Sequence, residues 1–235
     1  MPDPYENKEL RSVCGGTLRP GGLAITSEAL ALCAFPHGAR LIDLGCGPGE
    51  TLKYLREQGF EALGVDRSPD LLAEASAFGP VREADFHQLP FEDGSADGLL
   101  CECSLSLARD KSRVLAECFR VLKADGRLIV SDIVRMKKSG AIGPRSAGQT
   151  GGCLGGAADL ETMRYLFQDN GFEVEHFVDH SRALRELAAK LVWHFGSAAA
   201  LKELFGGGES CDGRDFGYAL FIARRKLGDE RNDND

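Results

Sequence analysis

The sequence predicts an α/β protein, a doubly wound parallel sheet with helices on both faces. Short apolar runs alternate with segments of helical apolar spacing along most of the 235 residues. The first run, Leu41-Ile42-Asp43-Leu44, ends in glycines at 45, 47 and 49, and a helical pattern begins directly after them. A strand, a glycine turn and a helix opening bring backbone close to a nucleotide-like ligand in such sheets. Acidic residues, Asp66 and Asp85, then close the next two strands.

Residues 1–22 read as an N-terminal arm, loose as far as Arg19-Pro20-Gly21-Gly22. A domain over 23–225 follows. It opens with helical spacing over 23–35, closed by Pro36-His37-Gly38. The first strand covers about 40–45 and its helix about 50–58. The second strand, about 61–66, leads to a helix over about 69–78, with Ser68 as N-cap and Pro69 at the first helical position. Strands follow at about 80–84 and 96–102. In the helix over about 110–123, Val114, Leu115, Cys118, Phe119 and Leu122 form an apolar face. Asp125-Gly126 turns the chain into a strand over 127–133. Residues 137–158 are rich in glycine, serine and alanine, the composition of a functional lid or a disordered segment. A helix over 159–169, a strand over 172–178 and a helix over 181–195 come next. A glycine cluster at 206–208 precedes a last strand over 215–224, and 226–235 reads as a flexible tail.

Composition narrows the function. Hydrophobic residues make up 43% and charged residues 27%, with a net charge of −8. This balance suits a globular protein and disfavours a nucleic-acid partner. No run approaches the ~20 apolar residues of a membrane span. The polar, acidic start MPDPYENKEL has no targeting character, which points to the cytoplasm. Eight cysteines without a secretion signal are expected as reduced thiols. No CxxC pair occurs, so no metal site is expected. Cys33 and Cys118 sit at apolar helical positions as core fillers. Cys101 and Cys103 alternate on a strand and are expected on one face.

The turn chooses among ligands. A dinucleotide fingerprint places its third glycine at position 50, where this chain has Glu50; its glycine comes one residue early. Asp66, at a strand end, is placed to accept both hydroxyls of a ribose. Asp85 can accept from an adenine amino group while Phe86 packs near the ring. Asp43 can anchor the ligand's cationic amino-acid end or orient the loop.

Leu41 to Gly49, Val65-Asp66, Ala84-Asp85 with Leu89-Pro90-Phe91, and Arg120 to Leu128 resemble the successive motifs of class I S-adenosylmethionine-dependent methyltransferases, over roughly residues 38–135. The resemblance implies a Rossmann-like sheet of seven strands, mostly parallel with an antiparallel last strand, and S-adenosylmethionine across its carboxyl edge, with S-adenosylhomocysteine as product. The candidate cofactor contacts are Asp43, Gly45, Cys46, Gly47, Gly49, Asp66, Arg67, Asp85, Phe86 and Cys101.

The expected partner is a small-molecule acceptor; nothing in the sequence sets the oligomeric state. The segments around Cys153 and Cys211, with Ser131-Asp132, resemble the downstream cysteine segments of arsenite methyltransferases. Soft trivalent arsenic prefers thiolate ligands. That family carries a further cysteine soon after the first glycine motif, where this chain has Thr51-Leu52-Lys53-Tyr54. The rival acceptor is a small organic molecule methylated on carbon, oxygen or nitrogen, since the core motifs also resemble quinone-biosynthesis methyltransferases. Catalytic candidates are thus Cys153, Cys211, Asp132 and His87, with Glu102 and His180 as further general-base candidates. A non-catalytic cofactor-binding sensor and a nicotinamide dehydrogenase are the remaining alternatives.

Overall fold

The computed structural model describes residues 4–136, 152–197, 205 and 215–226. Cys211, most of the 137–158 segment and the tail beyond Lys226 lie outside the described residues. Seven strands run side by side in the order β3-β2-β1-β4-β5-β8-β7, and a two-residue eighth, β6, pairs with β5. Their ranges are β1 Arg40–Leu44, β2 Glu61–Asp66, β3 Val81–Glu83, β4 Ala96–Glu102, β5 Leu122–Arg135, β6 Ala158–Asp159, β7 Phe172–Asp179 and β8 Phe216–Arg225. β1 to β5 pair in parallel, while β8 is antiparallel to both β5 and β7. The sheet is therefore mostly parallel with an antiparallel last strand, as expected; β6 is the addition.

Alternation along the strands assigns the helices to two faces. Ile42, Leu44, Leu99 and Cys101 share one core cluster with Val114 and Cys118 of α5 (Lys111–Val121) and Phe167 of α7 (Leu160–Asp169). Leu41 and Leu100 point the other way, into a cluster with Ala29 of α2 (Leu23–Cys33) and Leu52 of α3 (Glu50–Glu57), which α8 (Ser181–Phe195) also joins through Leu184. Cys33 and Cys118 are buried in these two clusters. The seven described cysteines are all free thiols.

Helix starts follow local chemistry. Ser68 accepts from Leu71 N at 3.4 Å to open α4 (Pro69–Ala75), and Asp110 accepts from Arg113 N at 3.0 Å to open α5. β5 begins five residues earlier than its apolar run. Its register against β4 slips between Ala96 and Gly98, and Asp125, at φ 59°, turns the intervening residues outward as a bulge.

The expectation of a loose arm needs correction. Residues 4–22 contain α1 (Lys8–Val13), whose Leu10 is buried against Leu191 of α8, and Arg11 makes a forked ion pair with Glu74 at 3.0 to 3.1 Å. Among the described residues no helix is long and apolar enough to cross a membrane.

Candidate functional site

The arm lies over the carboxyl ends of β1, β2 and β4, and together they enclose a cleft of about 840 Å³. Its floor is the glycine turn. Gly45 N and Cys46 N donate to Val65 O at 2.7 and 3.0 Å, which ties the turn to the end of β2. Gly47, at φ 52°, has no protein atom within 4 Å of where a side chain would begin, so the turn leaves open space on the cleft side. Gly49, at φ 94°, is closed instead: a Cβ there would sit 2.8 Å from the Ala75 Cα. The early third glycine is thus what lets α3 pack on α4. The N-cap of α3 offers no side-chain hydrogen bond, so its first amides are left for an outside acceptor.

Three acidic side chains surround the turn. Asp66 accepts from Gly47 N at 2.9 Å through Oδ2 and from Ser68 N at 3.0 Å through Oδ1. A carboxylate has about four acceptor positions, so two remain for a diol. Asp85 uses Oδ1 for His87 N at 2.9 Å and His87 Nδ1 at 2.5 Å. Partial burial would raise its pKa, yet these bonds hold it below the usual carboxylate value. Phe86 stacks on the His87 ring at 5.3 Å, beside Asp85 at the cleft's outer end. Asp43 is 2% exposed, and its Oδ2 has no partner among the described residues. Burial, then the Glu102 charge, pushes its carboxyl up to about 8, with Arg19 pulling the other way.

Thus Asp43, Gly45, Cys46, Gly47, Asp66, Arg67, Asp85 and Phe86 all line the cleft. Gly49 stands behind the turn. Cys101 does not line it. Its thiol lies 3.1 Å from Ser104 Oγ, inside the α5-side core cluster. Cys103, expected on the same face, instead reaches the opposite cluster and the cleft. β4 ends at Glu102, and Cys103 adopts φ 54°, a left-handed turn that reverses the alternation.

Cys103 belongs to a second polar group deeper in the molecule. Its thiol meets Tyr218 Oη at 3.4 Å, and Tyr218 Oη donates toward Ser131 at 3.1 Å. Tyr5, from the arm, lines the cleft and hydrogen-bonds the Cys153 thiol of α6 (Cys153–Gly156). Burial pushes the Cys153 thiol up to about 12 and raises Cys103 and both phenols, so all four are neutral hydrogen-bonding groups at physiological pH.

The general-base candidates are already engaged. Asp132 accepts from Ser106 N and Ile133 N, both at 2.7 Å. His87 takes Asp110 N on Nε2 at 3.3 Å while its Nδ1 faces Asp85. Glu102 is ion-paired with Arg19 and accepts from Thr26 and Thr51 hydroxyls at 2.8 and 3.0 Å. His180 lies outside the cleft, its Nε2 3.2 Å from Glu28 without hydrogen-bond geometry. Sequence reasoning missed Tyr5, Arg19 and Tyr218; Arg19 beside Pro20-Gly21-Gly22 was the available signal. No group of three His, Cys, Asp or Glu suited to a metal occurs among the described residues.

Residues 42–130 match the methyltransferase domain family. They are a domain of the class I S-adenosylmethionine-dependent methyltransferases.

An arsenite methyltransferase of Aquipseudomonas alcaligenes is 30% identical over 164 residues, which are 62% of this chain and 47% of that protein. A demethylmenaquinone methyltransferase of Thermus thermophilus is 35% identical over 100 residues, 39% of this chain and 46% of that one. The chain therefore spans less than half the length of these curated relatives. Among solved structures, the cyclase SpnF superimposes with a TM-score of 0.75 at 22% identity, covering 96% of this chain and 94% of its own. That likeness concerns the fold, and a cyclase on it shows that the fold alone does not set the reaction. S-adenosylmethionine is the cofactor of the family. The open side of Gly47, the spare acceptor positions of Asp66 and the unpartnered Asp43 oxygen fit its ribose and its cationic end.

Proposed function

We propose that the protein transfers a methyl group from S-adenosylmethionine to a small acceptor at the Tyr5–Cys103 end of the cleft, and that the acceptor atom attacks through a lone pair that carries no proton. The carrying observation is that every general-base candidate near the cleft already holds a protein hydrogen bond or ion pair. Among these candidates, a nucleophile that must first lose a proton meets only groups that already hold a protein partner; a trivalent, thiol-bound centre such as arsenite needs none.

When bound, the cofactor supplies an electrophilic methyl on a sulfonium. The residues of the cleft would hold that methyl in line with the acceptor's lone pair for a displacement that leaves the bonding pair on the donor sulfur. Alignment supplies much of the rate in such a displacement. Asp66 would accept from the ribose hydroxyls, Asp85 with Phe86 would hold the adenine, and Asp43 would face the cationic end, giving up its proton to do so. Cys153 and Cys103, with Cys211, would hold a thiophilic acceptor, releasing their protons as it binds. A second reading is an organic acceptor. The neutral, buried state of Cys103 and Cys153 suits apolar contact as well, and the Thermus relative acts on a quinone-type substrate by its name.

The test is turnover of S-adenosylmethionine with arsenite and excess thiol, followed by mass spectrometry of methylated arsenic. Turnover that disappears in Cys153→Ser supports the first reading. Turnover with a demethylquinol, and none with arsenite, replaces it with the second. Absence of S-adenosylhomocysteine binding defeats both.

A further inference from the structure

Arg19 lines the cleft beside Asp43 and the glycine turn. It leaves the arm just before Pro20-Gly21-Gly22 and is only 9% exposed. Nη1 donates to Thr51 Oγ1 at 2.8 Å and to Glu102, and Nη2 donates to Thr26 Oγ1 at 2.8 Å. Its Nε has no partner among the described residues. Asp43, lining the same cleft, has an unpartnered Oδ2. Glu102 does not need Arg19 for its hydrogen bonds, because Thr26 and Thr51 already donate to both of its oxygens.

Two buried groups, a guanidinium and a carboxyl, each with an unmet polar atom, thus flank the turn. Together they are complementary to an α-amino-acid zwitterion: a guanidinium for its carboxylate, a carboxylate for its ammonium. We propose that Arg19 receives the carboxylate of the cofactor's amino-acid end while Asp43 faces the ammonium, so that the bound cofactor fastens the N-terminal arm over the cleft. This rests on the reading of the cleft as an S-adenosylmethionine site.

Access also follows. Both unmet atoms are shut from solvent with the arm seated, so the ligand enters with the arm lifted and Arg19 returns onto it. The arm's outer tethers permit this. Glu6 accepts from Ser68 Oγ at 2.8 Å, and Lys8 and Arg11 pair with a Glu74 that is 37% exposed. The Glu6 bond and the Lys8 pair are exposed, hence weak and screened by salt, whereas Arg11, 8% exposed, and Leu10, buried against Leu191, are released as the arm lifts.

The experiment compares S-adenosylhomocysteine with 5′-methylthioadenosine, which lacks the amino-acid end. By calorimetry, Arg19→Ala should weaken S-adenosylhomocysteine binding about 10- to 100-fold and 5′-methylthioadenosine binding less than about twofold, the contrast expected for loss of one charge-assisted hydrogen-bonding group. In the wild-type protein, S-adenosylhomocysteine should protect the arm from trypsin at Lys8 and Arg11, and 5′-methylthioadenosine should not. Equal loss of affinity for both ligands, or equal protection by both, overturns the assignment. If Arg19→Ala does not fold, the wild-type protection contrast decides alone. A protein that binds 5′-methylthioadenosine as tightly as S-adenosylhomocysteine defeats this inference only; one that binds neither defeats the cofactor reading as well.

Discussion

At the donor end of the cleft, the polar groups come from short, consecutive stretches of chain: the turn at 43–49, Asp66 at the end of β2, and Asp85-Phe86 after β3. At the acceptor end they come from the whole length of the molecule. Tyr5 belongs to the arm, Cys103 follows β4, Ser131 and Asp132 lie on β5, Cys153 opens α6 and Tyr218 lies on β8. The first is a local device that any parallel strand, turn and helix can present. The second exists only because β8 inserts antiparallel between β5 and β7 and carries Tyr218 to Ser131 and Cys103. Charge differs in the same way. The donor end carries the carboxyl groups of Asp43, Asp66 and Asp85, able to answer a cationic donor, whereas the other end holds neutral thiols and phenols.

Substitutions can break this contrast, and the largest effect is expected at the donor end. Gly49→Val forces a side chain onto the Ala75 backbone at a left-handed φ. Strain and overpacking together should cost about 3 kcal/mol or more. Chemical denaturation should show a protein unfolded or nearly so; a loss below about 1 kcal/mol would mean that the α3–α4 contact is not rigid.

Asp66→Ala removes the proposed ribose acceptor and also the bond to Gly47 N. S-adenosylhomocysteine binding should weaken about 10- to 100-fold, read by calorimetry. An effect below twofold would remove Asp66 from the donor end.

Cys103→Ser and Cys153→Ser should separate the two ends. Arsenite-dependent turnover is expected to fall about tenfold or more in each, with the dissociation constant for S-adenosylhomocysteine unchanged within about twofold. Equal losses of donor affinity would show that the two ends are one site energetically.

A subtler effect concerns Asp43. Its carboxyl keeps its proton in the folded protein up to about pH 8, while the unfolded chain releases it near the ordinary aspartate value. Its contribution to stability therefore falls as pH rises through that window. An ammonium beside it favours the charged form. Cofactor binding at pH 7 should then release a proton, and less of one above pH 8, as measured by calorimetry in buffers of different ionisation enthalpy. Asp43→Asn should abolish this release.

The smallest effect belongs to Cys101, which the sequence reading counted among the cofactor contacts. Cys101→Ala should cost about 1 kcal/mol of stability through lost core contacts. Neither donor binding nor acceptor turnover should change.

Cys101 and Cys103 show where a reading of the chain stops. Period-two alternation placed both on one face and held through Glu102. One left-handed residue at Cys103 then reversed it, and no neighbouring glycine or proline signalled that turn. The arm failed for a related reason. MPDPYENKEL is polar and reads as solvated, yet Leu10 is buried against α8 and Arg19 against Glu102, contacts made by residues far along the chain.

By itself, the sequence determined the alternating sheet, the glycine turn with its early third glycine, and the acidic strand ends, because each depends on backbone conformation or side-chain period within a few residues. Only the tertiary structure decided that the arm roofs the cleft, that Arg19 and Asp43 stand with unmet polar atoms beside one turn, and that two thiols and two phenols from four parts of the chain come together at one end of it. Those are long-range juxtapositions, set by the order in which strands join the sheet, and no local pattern encodes that order.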